Sequence, residues 1–194
     1  METLQKIIQS EGKVVNEGVL KVDAFLNHGI DPKLMDQIGR EFTSRMKGEQ
    51  ITKVVTVEAS GIAPAVMAGL HLGVPVVFAR KGTSTIHAEH LWKATAFSFT
   101  KEAYSELSIS KELLNDDDRV LFIDDFLANG GAAKAILSIM RQSGATLIAY
   151  GAVIEKGFQG GGDWLRGMGV RVESLVRISG LQNGTIQFDE ERGA

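Results

Sequence analysis

The segment Val120–Ala135, V-L-F-I-D-D-F-L-A-N-G-G-A-A-K-A, constrains the fold more than any other part of this 194-residue chain. Val120 to Ile123 form an apolar, β-branched run that reads as a strand buried on both faces, the pattern of a parallel sheet. The run ends in two adjacent carboxylates, Asp124 and Asp125. It then passes through Ala128-Asn129-Gly130-Gly131-Ala132 into an amphipathic helical pattern, Gly131–Ser143, which Gly144 stops. Ligands in open α/β sheets bind outside the carboxyl ends of the strands, so the acids and the small-residue turn fall where a ligand is expected. Neighbouring acids there are costly unless water, a metal or ligand hydroxyls satisfy them. Small residues let backbone N–H groups approach an anion, and a helix N-terminus adds free N–H groups and a positive dipole end. A ribose phosphate meets both halves of that description. The plainer alternative is a Gly-rich turn behind an acidic strand end. The rival phosphate motifs, G-x-x-x-x-G-K-[ST] and G-x-G-x-x-G after a strand, do not occur.

The rest of the chain extends the βαβ pattern. Lys53–Val57 and Val74–Ala79 read as buried strands, and Ala145–Ile154 as a longer one. Ile62–Leu72 is a short apolar helix with Pro64 in its first turn and Gly73 at its end. Asp31 and Pro32 open a further helix to about Met46, with Asp31 as N-cap. Met1–Ile30 reads as a short helix and an irregular arm. Repeated strand–helix–strand units require right-handed crossovers and a mainly parallel α/β sheet flanked by helices, here one domain over 1–194. Thr83–Ser110 stands apart. It is polar and shows no core-like run, although Ala94–Thr100 alternates like an exposed strand, so it reads as a functional loop, lid or hairpin. Asp116-Asp117-Asp118 reads as a solvated turn. His28, His71, His87 and His90 show no metal-site spacing, and no metal-binding residue is assigned.

Composition excludes several classes of function. Without cysteine there are no disulfides, thiolate metal sites or thiol nucleophiles. No apolar run reaches the roughly 18 residues of a membrane span, and the first residues are too polar for a signal peptide. A cytoplasmic protein without membrane partners is the expectation. The net charge of −3, and seven basic against eight acidic side chains in residues 1–50, leave no positive footprint for nucleic acid.

The Val120–Ala135 block resembles the ribose-phosphate signature of the type I phosphoribosyltransferases. The arm Leu20-Lys-Val-Asp-Ala-Phe-Leu-Asn27, the loop Glu58-Ala-Ser-Gly61 followed by Ile-Ala-Pro, the pair Arg80-Lys81 and the run Ile154-Glu-Lys-Gly-Phe158 are similar to the xanthine-directed branch of that family. The likeness spans nearly the whole chain. Where the wider family commonly has Thr or Ser in the phosphate loop, Asn129 and Ala132 stand here, so phosphate contacts rest more on backbone N–H groups and Asn129.

The resemblance implies a fold with a small hood built from the N-terminal arm and C-terminal segment, with 83–110 as a mobile loop closing over substrate. It implies transfer of a phosphoribosyl group from phosphoribosyl pyrophosphate to xanthine, with Mg²⁺ bound mainly through the substrate, in a homodimer. Asp124 and Asp125 would hold the ribose hydroxyls, and Ala128, Asn129, Gly130, Gly131 and Ala132 would cradle the 5′-phosphate. Glu58, Ala59, Ser60 and Gly61, with Arg80 and Lys81, would serve the pyrophosphate, the cations as charged donors. Lys156 suits the O6 acceptor of a 6-oxopurine, and Phe158 offers a stacking ring. Asn27 and the backbone near Leu20 resemble base contacts, but an amide both donates and accepts, so Asn27 alone does not separate xanthine from guanine. Hypoxanthine–guanine transfer, and a regulator that binds phosphoribosyl pyrophosphate without catalysis, are the alternatives.

Overall fold

A computed structural model describes residues 1–82, 88–98 and 103–189. The strands expected from apolar runs form the middle of one sheet. Strands β3 (Lys53–Val57), β4 (Val76–Lys81), β7 (Arg119–Leu127), β8 (Thr146–Lys156) and β9 (Val172–Gln182) are parallel, in the order β9-β8-β7-β3-β4. Antiparallel strands close both edges. On one side is β10 (Thr185–Phe188); on the other is the hairpin of β5 (Leu91–Ser98) and β6 (Ala103–Ser110), with β6 against β4.

Side chains alternate across a strand, and the alternation sorts the core into two layers. Val54, Leu121 and Ile123 face helices α1 (Glu2–Glu11), α2 (Pro32–Arg45) and α3 (Ile62–Leu72), meeting Leu4, Ile38, Phe42 and Ala65. Val55, Val120 and Phe122 face the opposite layer, where α4 (Gly131–Ser143) contributes Ile136, Ile139 and Met140, and α5 (Gly161–Gly167) contributes Leu165. The start of α2 follows the sequence reading, since Asp31 Oδ1 accepts from the N–H groups of Lys33 and Leu34. Gly144 takes φ +78° after α4, which a β-carbon would disfavour.

The structure departs from the sequence reading in several places. β7 runs four residues beyond Ile123, carrying both acids inside the strand, where Asp124 pairs with Ala152 of β8. The C-terminal segment, expected in a hood, continues the main sheet as β9 and β10. The arm contains a small hairpin, β1 (Lys13–Asn16) and β2 (Val19–Lys21), then one wide helical turn over Asp23–Asn27. Of the readings open for 83–110, residues 91–98 and 103–110 take the hairpin, as paired antiparallel strands. Leu107 and Ile109 are buried in the second layer, and Trp92 Nε1 donates to the Leu114 carbonyl at 2.9 Å. Serines between these apolar positions disguised a half-buried strand. The segments 83–87 and 99–102, with His87 and Phe99, lie outside the described residues. Asp116 and Asp117 are exposed as expected, but Asp118 is buried, 2.7 Å from Lys53 Nζ.

Candidate functional site

A cavity of about 410 Å³ opens at the carboxyl ends of β3, β7 and β8. Its floor is the end of β7. Asp124 is almost fully buried, and its Oδ2 accepts a 2.8 Å hydrogen bond from the hydroxyl of buried Tyr150, across on β8. Its Oδ1 accepts from the N–H of Asp125 at 3.1 Å. Burial raises the pKa of Asp124 to about 8; the neighbouring Asp125 charge adds to the rise, and the Tyr150 hydroxyl opposes it. Burial, with the negative charge of Asp124, pushes the Tyr150 phenol up in turn.

The turn from β7 into α4 forms one wall, with Ala128, Asn129, Gly130, Gly131 and Ala132 all lining the cavity. Gly130 adopts φ +79° at the N-cap, and the first turn of α4 directs its unpaired N–H groups at the same space. The wall is braced from behind. Gly161, which opens α5, donates its N–H to the Ala128 carbonyl at 2.9 Å. A β-carbon on Gly161 would stand 2.3 Å from that oxygen and 2.6 Å from the Gly130 nitrogen. Gly161→Ala must therefore displace the turn, and it is expected to raise the KM for a phosphate-bearing substrate at least about tenfold while the protein stays folded. Initial-rate kinetics with a melting curve check this.

The opposite wall is Glu58, Ala59 and Ser60 after β3, with Lys81 from the end of β4. The Glu58–Ala59 peptide is cis. Glu58 Oε1 accepts from the Lys81 backbone N–H at 2.6 Å, so this carboxylate ties the loop to β4 and leaves backbone and Ser60 to face an anion. Gly61 lies outside the lining; its Cα packs toward Thr56 and the Ile123 carbonyl. Arg80 also lies outside, pointing to solvent 3.8 Å from Glu58.

At the far end is Lys156, whose Nζ sits 4.9 Å from the centre of the Phe126 ring and donates to the Gly18 carbonyl at 2.8 Å. Burial lowers its pKa from the ordinary lysine value, and the Asp125 charge works against that shift. Gly18 and Val19 line the cavity, whereas Leu20 turns into the core. Asn27 is not in the lining, and its buried Oδ1 has no hydrogen-bond partner in the structure. Phe158 is 40% exposed and outside the lining; Phe126 is the ring beside Lys156. Sequence reasoning missed Phe126, which packs against the α1–α3 core layer and not the Tyr150 layer that Asp124 meets, so strand period gave no signal for it. Tyr150, a lone phenol in an apolar strand, needed a partner. Gly18 and Gln159 carried no such signal.

The Phosphoribosyl transferase domain model matches residues 31–163. The chain belongs to the phosphoribosyltransferase family. Among curated relatives, xanthine phosphoribosyltransferases from Bacillus cytotoxicus and Bacillus mycoides are 56% and 55% identical, each over 100% of this chain and 98% of the relative. Among solved structures, adenine phosphoribosyl transferase of Trypanosoma brucei superposes with a TM-score of 0.75 at 23% identity, covering 90% of this chain and 79% of that one. The adenine phosphoribosyltransferase of Thermoanaerobacter pseudethanolicus gives 0.71 at 20% identity, covering 90% and 99%. At these identities the solved structures speak for the fold. In this family member Asp124, Asp125 and the Ala128–Ala132 turn line a single cavity.

Proposed function

We propose that this protein transfers the 5-phosphoribosyl group of phosphoribosyl pyrophosphate to xanthine, giving xanthosine monophosphate and pyrophosphate in purine salvage. One observation carries the transfer: the acid pair, the helix N-terminus and a buried lysine over an aromatic ring converge on one cavity of about 410 Å³. Xanthine as acceptor is supported by the naming of relatives at 55–56% identity.

In the reaction the ribose C1–oxygen bond to pyrophosphate breaks, a C1–nitrogen bond to the base forms, and the base nitrogen loses its proton. Positive charge develops on the ribose as the leaving group departs, so catalysis rests on positioning and fixed charge. Asp124 and Asp125 hold the ribose hydroxyls beneath that charge. The Ala128–Ala132 turn and first turn of α4 bind the 5′-phosphate. Ala59, Ser60 and Lys81 face the pyrophosphate. Lys156 donates to O6 of the base, and Phe126 packs beside it. The two acids facing the cavity fit a Mg²⁺ ion held chiefly by substrate oxygens with water between; among the described residues, no cluster of three or more acids or histidines forms a protein-only site. When bound, such an ion would supply positive charge against the pyrophosphate leaving group.

A homodimer fits the surface beside the pyrophosphate loop. Val66 and Leu70 of α3 and Phe78 of β4 are 46%, 69% and 42% exposed, next to the outward-pointing Arg80. A second copy is the occupant proposed, since the patch adjoins the loop and would carry Arg80 toward a neighbouring cavity. Leu70→Glu is expected to halve the mass seen by light scattering; an unchanged mass would count against this face.

Nucleotide formation from phosphoribosyl pyrophosphate and Mg²⁺, with xanthine, guanine, hypoxanthine and adenine in parallel, tests the reading. Preference for xanthine supports it. Preference for another base keeps the transfer and removes the acceptor. Binding of phosphoribosyl pyrophosphate without turnover leaves a regulator.

A further inference from the structure

Lys156 at the end of β8 and Gln159 in the turn after it converge on one backbone oxygen of the N-terminal arm. The Gly18 carbonyl accepts from Lys156 Nζ at 2.8 Å and from Gln159 Nε2 at 3.2 Å. Gly18 lies in the tight turn between β1 and β2, where its own N–H donates to Asn16 Oδ1 at 2.9 Å, and it lines the cavity together with Gln159. The short β1–β2 pair is exposed over much of its length, with a register irregularity between Val14 and Asn16. An isolated two-stranded hairpin has little stability of its own, so its tip depends on such ties.

We infer that Gln159 is a positioning residue for base recognition, acting through the Gly18 carbonyl on the Lys156 ammonium. An ammonium has three N–H donors on a rotatable stem. One is committed to Gly18, and that bond sets where the other two point. Gly18 is therefore the anchor that aims Lys156 into the cavity, and Gln159, in the short helical turn Gly157–Gln159, holds the anchor. The same contact keeps the hairpin tip at the base end of the cavity. Gln159 touches no reacting atom. The inference rests on the proposed base site at Lys156 and names a residue that helps select for its oxygen acceptor.

Gln159→Met keeps length and bulk and removes the donor. The expected result is a KM for xanthine raised about fivefold, with kcat and the KM for phosphoribosyl pyrophosphate within twofold of wild type. Hydrogen exchange of residues 13–21 is expected to quicken. Gln159→Asn, which keeps an amide but falls one methylene short, is expected to behave like Gln159→Met. An unchanged KM for xanthine, or equal rises in both KM values, overturns the inference while an active wild type preserves the base site. A wild type that turns over no 6-oxopurine removes the base site itself. Exchange then decides alone whether Gln159 holds the hairpin, and unchanged exchange overturns that as well.

Discussion

Asp124→Asn is expected to lose most of the activity and to make the free protein more stable at neutral pH. The loss in kcat/KM is expected to be on the order of 10²–10³, the scale for removing a preorganised group that positions the ribose hydroxyls. The gain in stability follows from linkage. An aspartate ionises near 3.9 in an unfolded chain, and in the folded protein Asp124 is raised to about 8 by burial and by Asp125. Between those values the folded state binds a proton that the unfolded state has released. The contribution of Asp124 is therefore fully present below about pH 4, and it is lost as pH rises through about 8. Asparagine does not titrate, and its amide keeps an oxygen for the Tyr150 hydroxyl, which donates at 2.8 Å in the parent. Melting curves of both proteins at pH 5, 7 and 9 are expected to diverge up to about pH 8 and run parallel above it, the variant gaining about 2–4 °C for each kcal/mol of strain relieved. Superimposable pH profiles would show that Asp124 is ionised throughout. A binding cleft that holds an acid at this cost is a site whose stability has been traded for function.

The parallel core was legible because its strands are continuous apolar runs punctuated by glycine. Lys53–Val57, Ile62–Leu72 and Gly131–Ser143 were read at the bounds the structure has. The strands that flank the parallel centre were less legible, because polar residues interrupt their buried positions. β6 shows only Leu107 and Ile109 among serines, and β9 mixes Glu173, Ser174 and Arg177 with its buried residues. In the candidate site, residues contiguous with β7 could be read directly, since Asp124 to Ala132 follow one another. Residues brought in by tertiary contact could not. Gly18 reaches the cavity from 138 positions away through its bond to Lys156. Lys81 was visible beside its strand, but the role of Glu58 as a backbone tie was not. That role depends on β3 and β4 being neighbours, which no local pattern states.

Glu155→Gln is expected to cost the fold about 2 kcal/mol and to disturb the site without touching it. Glu155 immediately precedes Lys156 on β8 and is fully buried. Arg166 of α5 grips both its oxygens at 2.8 Å, Arg177 of β9 reaches Oε1 at 3.0 Å, and the Ser174 hydroxyl donates to Oε2. Burial favours the protonated acid, yet the hydrogen bonds from Arg166 and Ser174 and the charges of Arg166 and Arg177 outweigh it, holding the carboxyl below its usual range. Removing one partner of such a pair typically costs 3–5 kcal/mol. About 2 kcal/mol is expected here, below that range, because Arg166 and Arg177 are 39% and 34% exposed, so water takes up part of their charge. A loss of about 2 kcal/mol corresponds to a fall in Tm of roughly 4–8 °C. The sign with pH is opposite to that of Asp124: a depressed acid stabilises above its unfolded pKa of about 4.3 and loses that contribution as pH falls through the folded value. The gap between wild type and variant should thus be full at neutral pH and narrow only as pH falls below about 4. The cluster ties β8, β9 and α5 together, and α5 braces the phosphate turn through Gly161. The KM values for both substrates are expected to rise together, by about three- to tenfold. That joint rise separates this variant from Gln159→Met, which moves the base alone. A variant with the wild-type Tm at pH 7 would mean that the two arginines do no more for Glu155 than an amide partner could.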